Sequence, residues 1–189
     1  RTSMIIVPSE RLDVVIDFSQ YPIGTQVVLN NTFGSGSTGA IMRFDVVRNA
    51  VDDSEVRSVL RPITRLGGAV RTRYWDLSFN GSDWTINGQT YDPNRIDAFP
   101  RLNSTEVWVY RNFSQHSHPM HPHLVRFQVL RRFPGTVQPY EGWKDTIRVK
   151  SGEELHIIIN FTGFAGTYVH HRHNLEHEDH DMMMQFKVV

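Results

Sequence analysis

The sequence predicts an all-β fold, a Greek-key β-sandwich. Three observations carry this expectation. Apolar and β-branched residues come in short runs, some strictly alternating, with Ile41, Arg43 and Asp45 set against Met42, Phe44 and Val46. Turn residues punctuate the runs, as at Asn80-Gly-Ser-Asp and Asn87-Gly88. No segment of residues 1–48 carries a convincing helical apolar period.

Taken in order, Ile5 to Ser19 reads as strand, turn, strand, with Pro8-Ser-Glu-Arg between Ile5-Ile-Val7 and Leu12-Asp-Val-Val-Ile-Asp-Phe18. The opening Arg1-Thr-Ser-Met runs at once into this pattern, which predicts a start inside a domain. Gln26–Leu29 and Ala40–Val47 are the next strands, joined by the Gly- and Ser-rich loop 31–39. Residues 1–48 therefore read as closing strands of one sandwich. Residues 49–66 are charged and poorly patterned, and read as a linker that wraps the surface.

From Arg71 the strand pattern returns. Arg73–Phe79 alternates, and Trp84–Tyr91 reads as a hairpin with Asn87-Gly88 at its tip. Glu106–Arg111, His123–Leu130, Trp143–Val149, Glu154–Asn160, Gly166–His173 and Gln185–Val189 follow as strands. Many short strands separated by turn signals make residues 67–189 one complete Greek-key sandwich.

Composition bounds the function. The chain has 189 residues, enough for one domain and part of another, and its formal net charge is zero. A neutral balance points to neither a nucleic-acid nor an anionic-membrane partner. No run is long and apolar enough to span a bilayer as a helix. With no cysteine there are no disulfides. Asn-x-Ser/Thr acceptors begin at Asn30, Asn80, Asn103, Asn112 and Asn160. They permit a secreted glycoprotein, or serve as plain turn residues.

The histidines stand out. The last 22 residues hold His170, His171, His173, His177 and His180, half of the chain's ten, together with Met182-Met-Met184. A second cluster is His116-Ser-His118-Pro-Met-His121-Pro-His123. Imidazole and thioether ligands suit copper and other late first-row metals. Residues i and i+2 of a strand share a face. His121/His123 and His171/His173 are two such pairs, so two neighbouring strands could present a claw of imidazoles.

These spacings resemble a known family. His118-Pro-Met-His121-Pro-His123 is similar to the His-Pro-x-His-x-His motif of multicopper oxidases. The run from His171 to Met182 resembles their terminal His-Cys-His-x-x-x-His-x-x-x-x-Met motif, with Arg172 in place of the cysteine. The similarity is strongest to spore-coat laccases, bilirubin oxidases and phenoxazinone synthases. It implies a cupredoxin-like fold, with residues 1–48 closing domain 2 and 67–189 forming domain 3 of a three-domain enzyme.

The resemblance also implies site roles. His118, His177 and Met182 match ligands of a mononuclear blue copper. His121 matches a ligand of the single copper in a trinuclear cluster. His123, His171 and His173 match ligands of that cluster's coupled pair. Glu178 matches a carboxylate that assists proton delivery. The copper cofactor would thus be a trinuclear half-site. The blue site is expected to be empty or absent, because arginine has no acceptor and stays protonated. His116, His156 and His180 read as loop or structural residues. His170, Met120, Met183 and Met184 read as packing. A cupin is excluded, because no carboxylate follows His123 in Leu-Val-Arg-Phe-Gln-Val-Leu.

The resulting expectation is a laccase- or bilirubin-oxidase-like oxidoreductase. It would oxidise phenolic or pigment substrates and reduce dioxygen to water. The alternative is a catalytically inactive metal-binding or structural module. Implied partners are copper ions, and dioxygen with a small aromatic reductant once the missing N-terminal domains are supplied. Self-association is a further expectation, and the implied location is extracellular or the spore coat. Four imidazoles are too few for three coppers, so the chain alone is expected to be inactive.

Overall fold

A computed structural model describes residues 2–138, 141–173 and 182–189. The chain divides into two compact units, residues 13–62 and residues 1–12 with 63–189. The first twelve residues thus cluster with the histidine-bearing unit.

The larger unit is a β-sandwich. Its strands are β3 (Arg71–Phe79), β4 (Trp84–Ile86), β5 (Thr105–Asn112), β6 (His118–Pro122), β7 (Phe127–Phe133) and β8 (Trp143–Lys144). They continue with β9 (Ile147–Val149), β10 (Glu154–Asn160), β11 (Gly166–Arg172) and β12 (Met183–Val188). One sheet runs β4-β3-β5-β10-β7-β8 and the other β12-β11-β6-β9. β3 pairs with β5 in parallel, and the remaining pairs are antiparallel.

Alternation places the core between the sheets. In β10, Leu155, Ile157 and Ile159 are fully buried, and β5 adds Trp108 and Tyr110. The facing sheet contributes Met120, Ile147, Val149, Met184 and Phe186. Each large apolar side chain removed from water stabilises the fold by ~1.5–3 kcal/mol. Two buried charge clusters are paired. Glu106 accepts from Arg73 at 2.6 and 3.0 Å. Arg132 donates to Glu141 and to Glu153.

The smaller unit is a hairpin, β1 (Gln26–Asn30) against β2 (Ala40–Asp45), with the register Gln26↔Asp45. Its alternation does not sort into a wet and a dry face. Ile41 is 61% exposed and Met42 53% exposed. Residues 46–70 form no helix or strand.

Several expectations change. Ile5–Val7 and Leu12–Phe18 are not strands; Phe18–Gln20 is a short 3-10 turn. A strand needs a neighbour to take its backbone N–H and C=O groups. The strand expected from His123 begins only at Phe127, because Leu124 has φ +71° and breaks the extended chain. The expected strand 143–149 splits at Asp145-Thr146. The hairpin tip is as read. Asn87 and Gly88 have φ +54° and +74°, the positive pair of a type I′ turn. Among the described residues no helix is long and apolar enough to cross a membrane.

Candidate metal centre

β6 and β11 build the site. They pair antiparallel with His171 opposite His121 and Arg172 opposite Met120. Backbone bonds extend the ladder beyond both strand ends: His123 N–H donates to the Val169 carbonyl at 3.0 Å, and His173 N–H to the Pro119 carbonyl at 2.7 Å. Period 2 then sends His121, His123, His171 and His173 to one face. It sends His118, Met120, His170 and Arg172 to the other. His123 itself lies just beyond the end of β6.

The four imidazoles do gather. Ring centroids lie 4.8 Å apart for His121 and His123, 5.7 Å for His121 and His171, and 5.3 Å for His171 and His173. His123 Nε2 is 3.0 Å from His171 Nε2. Two nitrogens bound to one metal at ~2.0–2.1 Å and a right angle would be about 2.9 Å apart. At this distance the pair can share either a proton or a metal ion. Among the described residues no three histidine, aspartate or glutamate side chains are arranged to hold one ion between them. The claw is therefore a close pair with a flanking ring on each side.

Hydrogen bonds fix the rings. A carbonyl only accepts, so His121 Nδ1 carries a proton where it meets the Asp145 carbonyl at 2.8 Å. His171 Nδ1 likewise meets the Arg172 carbonyl at 3.1 Å. In the neutral form of either ring the lone pair is then on Nε2, the nitrogen a metal would take. Ser9 Oγ is 3.0 Å from His173 Nδ1 and 3.1 Å from its Nε2.

The opposite face is different in character. His118 is fully buried, its Nε2 is 2.7 Å from Ser114 Oγ, and its ring meets Trp84 edge-on. Met182 is buried, and its carbonyl accepts from Arg172 N–H at 3.1 Å. The Arg172 side chain is 3% exposed. Its Nε and Nη1 have no hydrogen-bond partner among the described residues. Burial pushes its pKa down to about 10, which still leaves it protonated at neutral pH. His170 is also fully buried, packed 4.3 Å from Trp75 and 5.0 Å from Trp108 between centroids. Burial, helped by the neighbouring His171, pushes its pKa down to about 3, so it packs as a neutral ring.

His177, His180 and Glu178 lie outside the described residues. His116 is exposed and His156 bonds Glu154 at 2.6 Å. Sequence reasoning missed Ser9, Ser114, Asp145 and Thr146, which hold the histidine rings from outside. It also missed the left-handed Leu124 beside His123. Ser114 and Leu124 stand next to the first histidine motif and Ser9 in a Pro-Ser turn, whereas Asp145 and Thr146 carry no such signal.

The multicopper oxidase family matches residues 64–189. The chain belongs to the multicopper oxidase family. A laccase from Bacillus stratosphericus is 33% identical over 99% of this chain and 43% of its own length. A bilirubin oxidase from Albifimbria verrucaria is 35% identical over 98% of this chain and 36% of its own. The crystal structure of McoA multicopper oxidase from Aquifex aeolicus superposes with a TM-score of 0.81. It has 26% identity and covers 92% of this chain and 42% of that one. This multicopper oxidase chain thus spans less than half the length of these relatives. Membership brings copper as the family's metal and confirms the cupredoxin-like sandwich.

Proposed function

We propose that this chain is the C-terminal, copper-binding part of a laccase- or bilirubin-oxidase-type oxidase. His121, His123, His171 and His173 are its share of a trinuclear copper site. The observation that carries the reading is the His121–His171 cross-strand pair, with His123 and His171 Nε2 atoms 3.0 Å apart. The donor set fits copper, since imidazole suits this metal.

Bound copper would bind dioxygen and relay to it the electrons that the reducing substrate gives up. The chain's own residues do the rest. The carbonyls of Asp145 and Arg172 hold the Nδ1 protons of His121 and His171 and aim Nε2 inward. Glu178 is the proposed proton carrier. Among the described residues no three side chains close around one ion, and the family resemblance gives this domain only four of the cluster's histidines, so the site reads as a half that another domain completes. Dioxygen and a small phenolic or pigment reductant are then substrates of the completed enzyme. The chain's partners are copper and the N-terminal domains, or a second copy of itself. An extracellular or spore-coat location goes with this reading.

No blue copper is assigned to His118, His177 and Met182. A guanidinium stands where the thiolate would, and it offers no lone pair. That observation favours a second reading, a catalytically inactive metal-binding or structural module. Titration with Cu²⁺ followed by electron paramagnetic resonance, beside oxygen uptake with a phenol, tests both. Cu²⁺ binding without oxygen uptake is expected of the isolated chain. Unchanged binding in a His121→Ala, His173→Ala double variant would overturn the metal site. Robust oxygen uptake by a chain shown to be monomeric would overturn the half-site.

A further inference from the structure

Residues 7–11 form a tight turn against the histidine face. Glu10 N–H donates to the Val7 carbonyl at 3.0 Å, and the Ser9 side chain reaches His173. Glu10 and Arg11 meet the consecutive residues Lys144 and Asp145 with opposite charges. Lys144 Nζ is 3.1 Å from Glu10 Oε1, both side chains being at most a tenth exposed, and it also donates to the Arg11 carbonyl at 3.2 Å. Arg11 donates to the Asp145 carboxylate and, with its other terminal nitrogen, to the Ser9 carbonyl. Asp145 is the residue whose carbonyl holds His121.

Two of the four imidazoles are thus held by one short segment more than a hundred residues upstream. Ser9 touches His173 directly, and Arg11 reaches His121 through Asp145. Ser9 Oγ lies almost equally far from both nitrogens of His173. The Ser9 hydroxyl therefore lies against the His173 ring, in contact with both nitrogens. The backbone supports a role for the hydroxyl. Ser9 has φ +58°, a region where glycine would sit without strain. The hydroxyl is what glycine lacks.

We propose that Ser9 and Arg11 are positioning residues of the copper site, a clamp that orients His173 and His121 for metal binding. This rests on the reading of these histidines as copper ligands. Outer-shell partners of this kind typically carry 10–100-fold in metal affinity.

The test uses the whole chain and the variants Ser9→Gly, Ser9→Asn and Arg11→Ala. Ser9→Gly is expected to keep or raise the thermal midpoint, because it relieves the backbone. It is expected to shift the ¹⁵N resonances of the His173 ring without metal, and to weaken Cu²⁺ binding by roughly tenfold. Ser9→Asn tolerates the same backbone and brings a side-chain amide, so it should recover part of the affinity. Arg11→Ala should move the His121 resonances. Unchanged His173 resonances and Cu²⁺ affinity in Ser9→Gly would overturn the clamp. So would an affinity loss that only tracks a fall in the thermal midpoint. If the parent chain binds no Cu²⁺ through these rings, the copper reading fails, while the metal-free resonances still report the clamp.

Discussion

Arg172 lies against Trp84, its guanidinium carbon 4.9 Å from the indole centroid. The indole face attracts this charge, while its Nε and Nη1 have no hydrogen-bond partner among the described residues. A desolvated cation–π contact offsets about 2 kcal/mol, less than burying a charge short of hydrogen bonds costs. The Arg172→Met variant should therefore be more stable, by roughly 1–3 kcal/mol. Urea unfolding at neutral pH measures this, and a less stable variant would contradict the burial cost.

Arg172→Cys should do more. A thiolate at this position, with His118, His177 and Met182, completes the ligand set that the family resemblance implies. Adding Cu²⁺ should then give the intense blue absorption of a copper–thiolate centre, absent from the parent chain. A variant that binds copper and stays colourless would show that these four residues do not converge.

Copper binding by the parent should weaken on acidification. Protons compete with metal for the imidazole lone pair. Affinity measured by titration should fall steadily from about pH 8 to about pH 5. Saturating Cu²⁺ should also raise the thermal midpoint, because it binds the folded chain. Chelation should reverse the rise.

Asn112 opens one of the glycosylation-type triplets, yet it is buried. Its Nδ2 donates to the carbonyls of His116, Val149 and Lys150, and its Oδ1 accepts from Ser114. Asn112→Ala should cost about 2–4 kcal/mol by orphaning these groups. Mass spectrometry after secretion from a glycosylating host should find Asn112 bare.

Arg132 joins Glu141 and Glu153, all at most 6% exposed. Arg132→Ala leaves two buried carboxylates without their cation. Unfolding free energy should drop by roughly 3–5 kcal/mol. A loss below about 1 kcal/mol, as for a surface pair, would show that water reaches the cluster.

The larger sandwich was legible because strand periodicity is local. Leu155, Ile157 and Ile159 stand two apart within a short β-branched run, and the same three residues fill the core. The grouping of His121 with His123 and of His171 with His173 was legible for the same reason, since i and i+2 share a face whatever lies beyond. Where strand neighbours were needed, sequence failed. Leu12–Phe18 has the residues of a strand and is none, because a ladder is a property of two segments.

The sequence by itself thus determined which residues could face one another on β6 and β11, and that no cysteine is present to supply a thiolate. Only the tertiary structure decided that Ser9 touches His173, that the Asp145 carbonyl orients His121, and that Asn112 is locked inside. Those contacts join residues as far as 164 positions apart. No periodicity encodes them, because they depend on how the packed core brings distant backbone within hydrogen-bond reach.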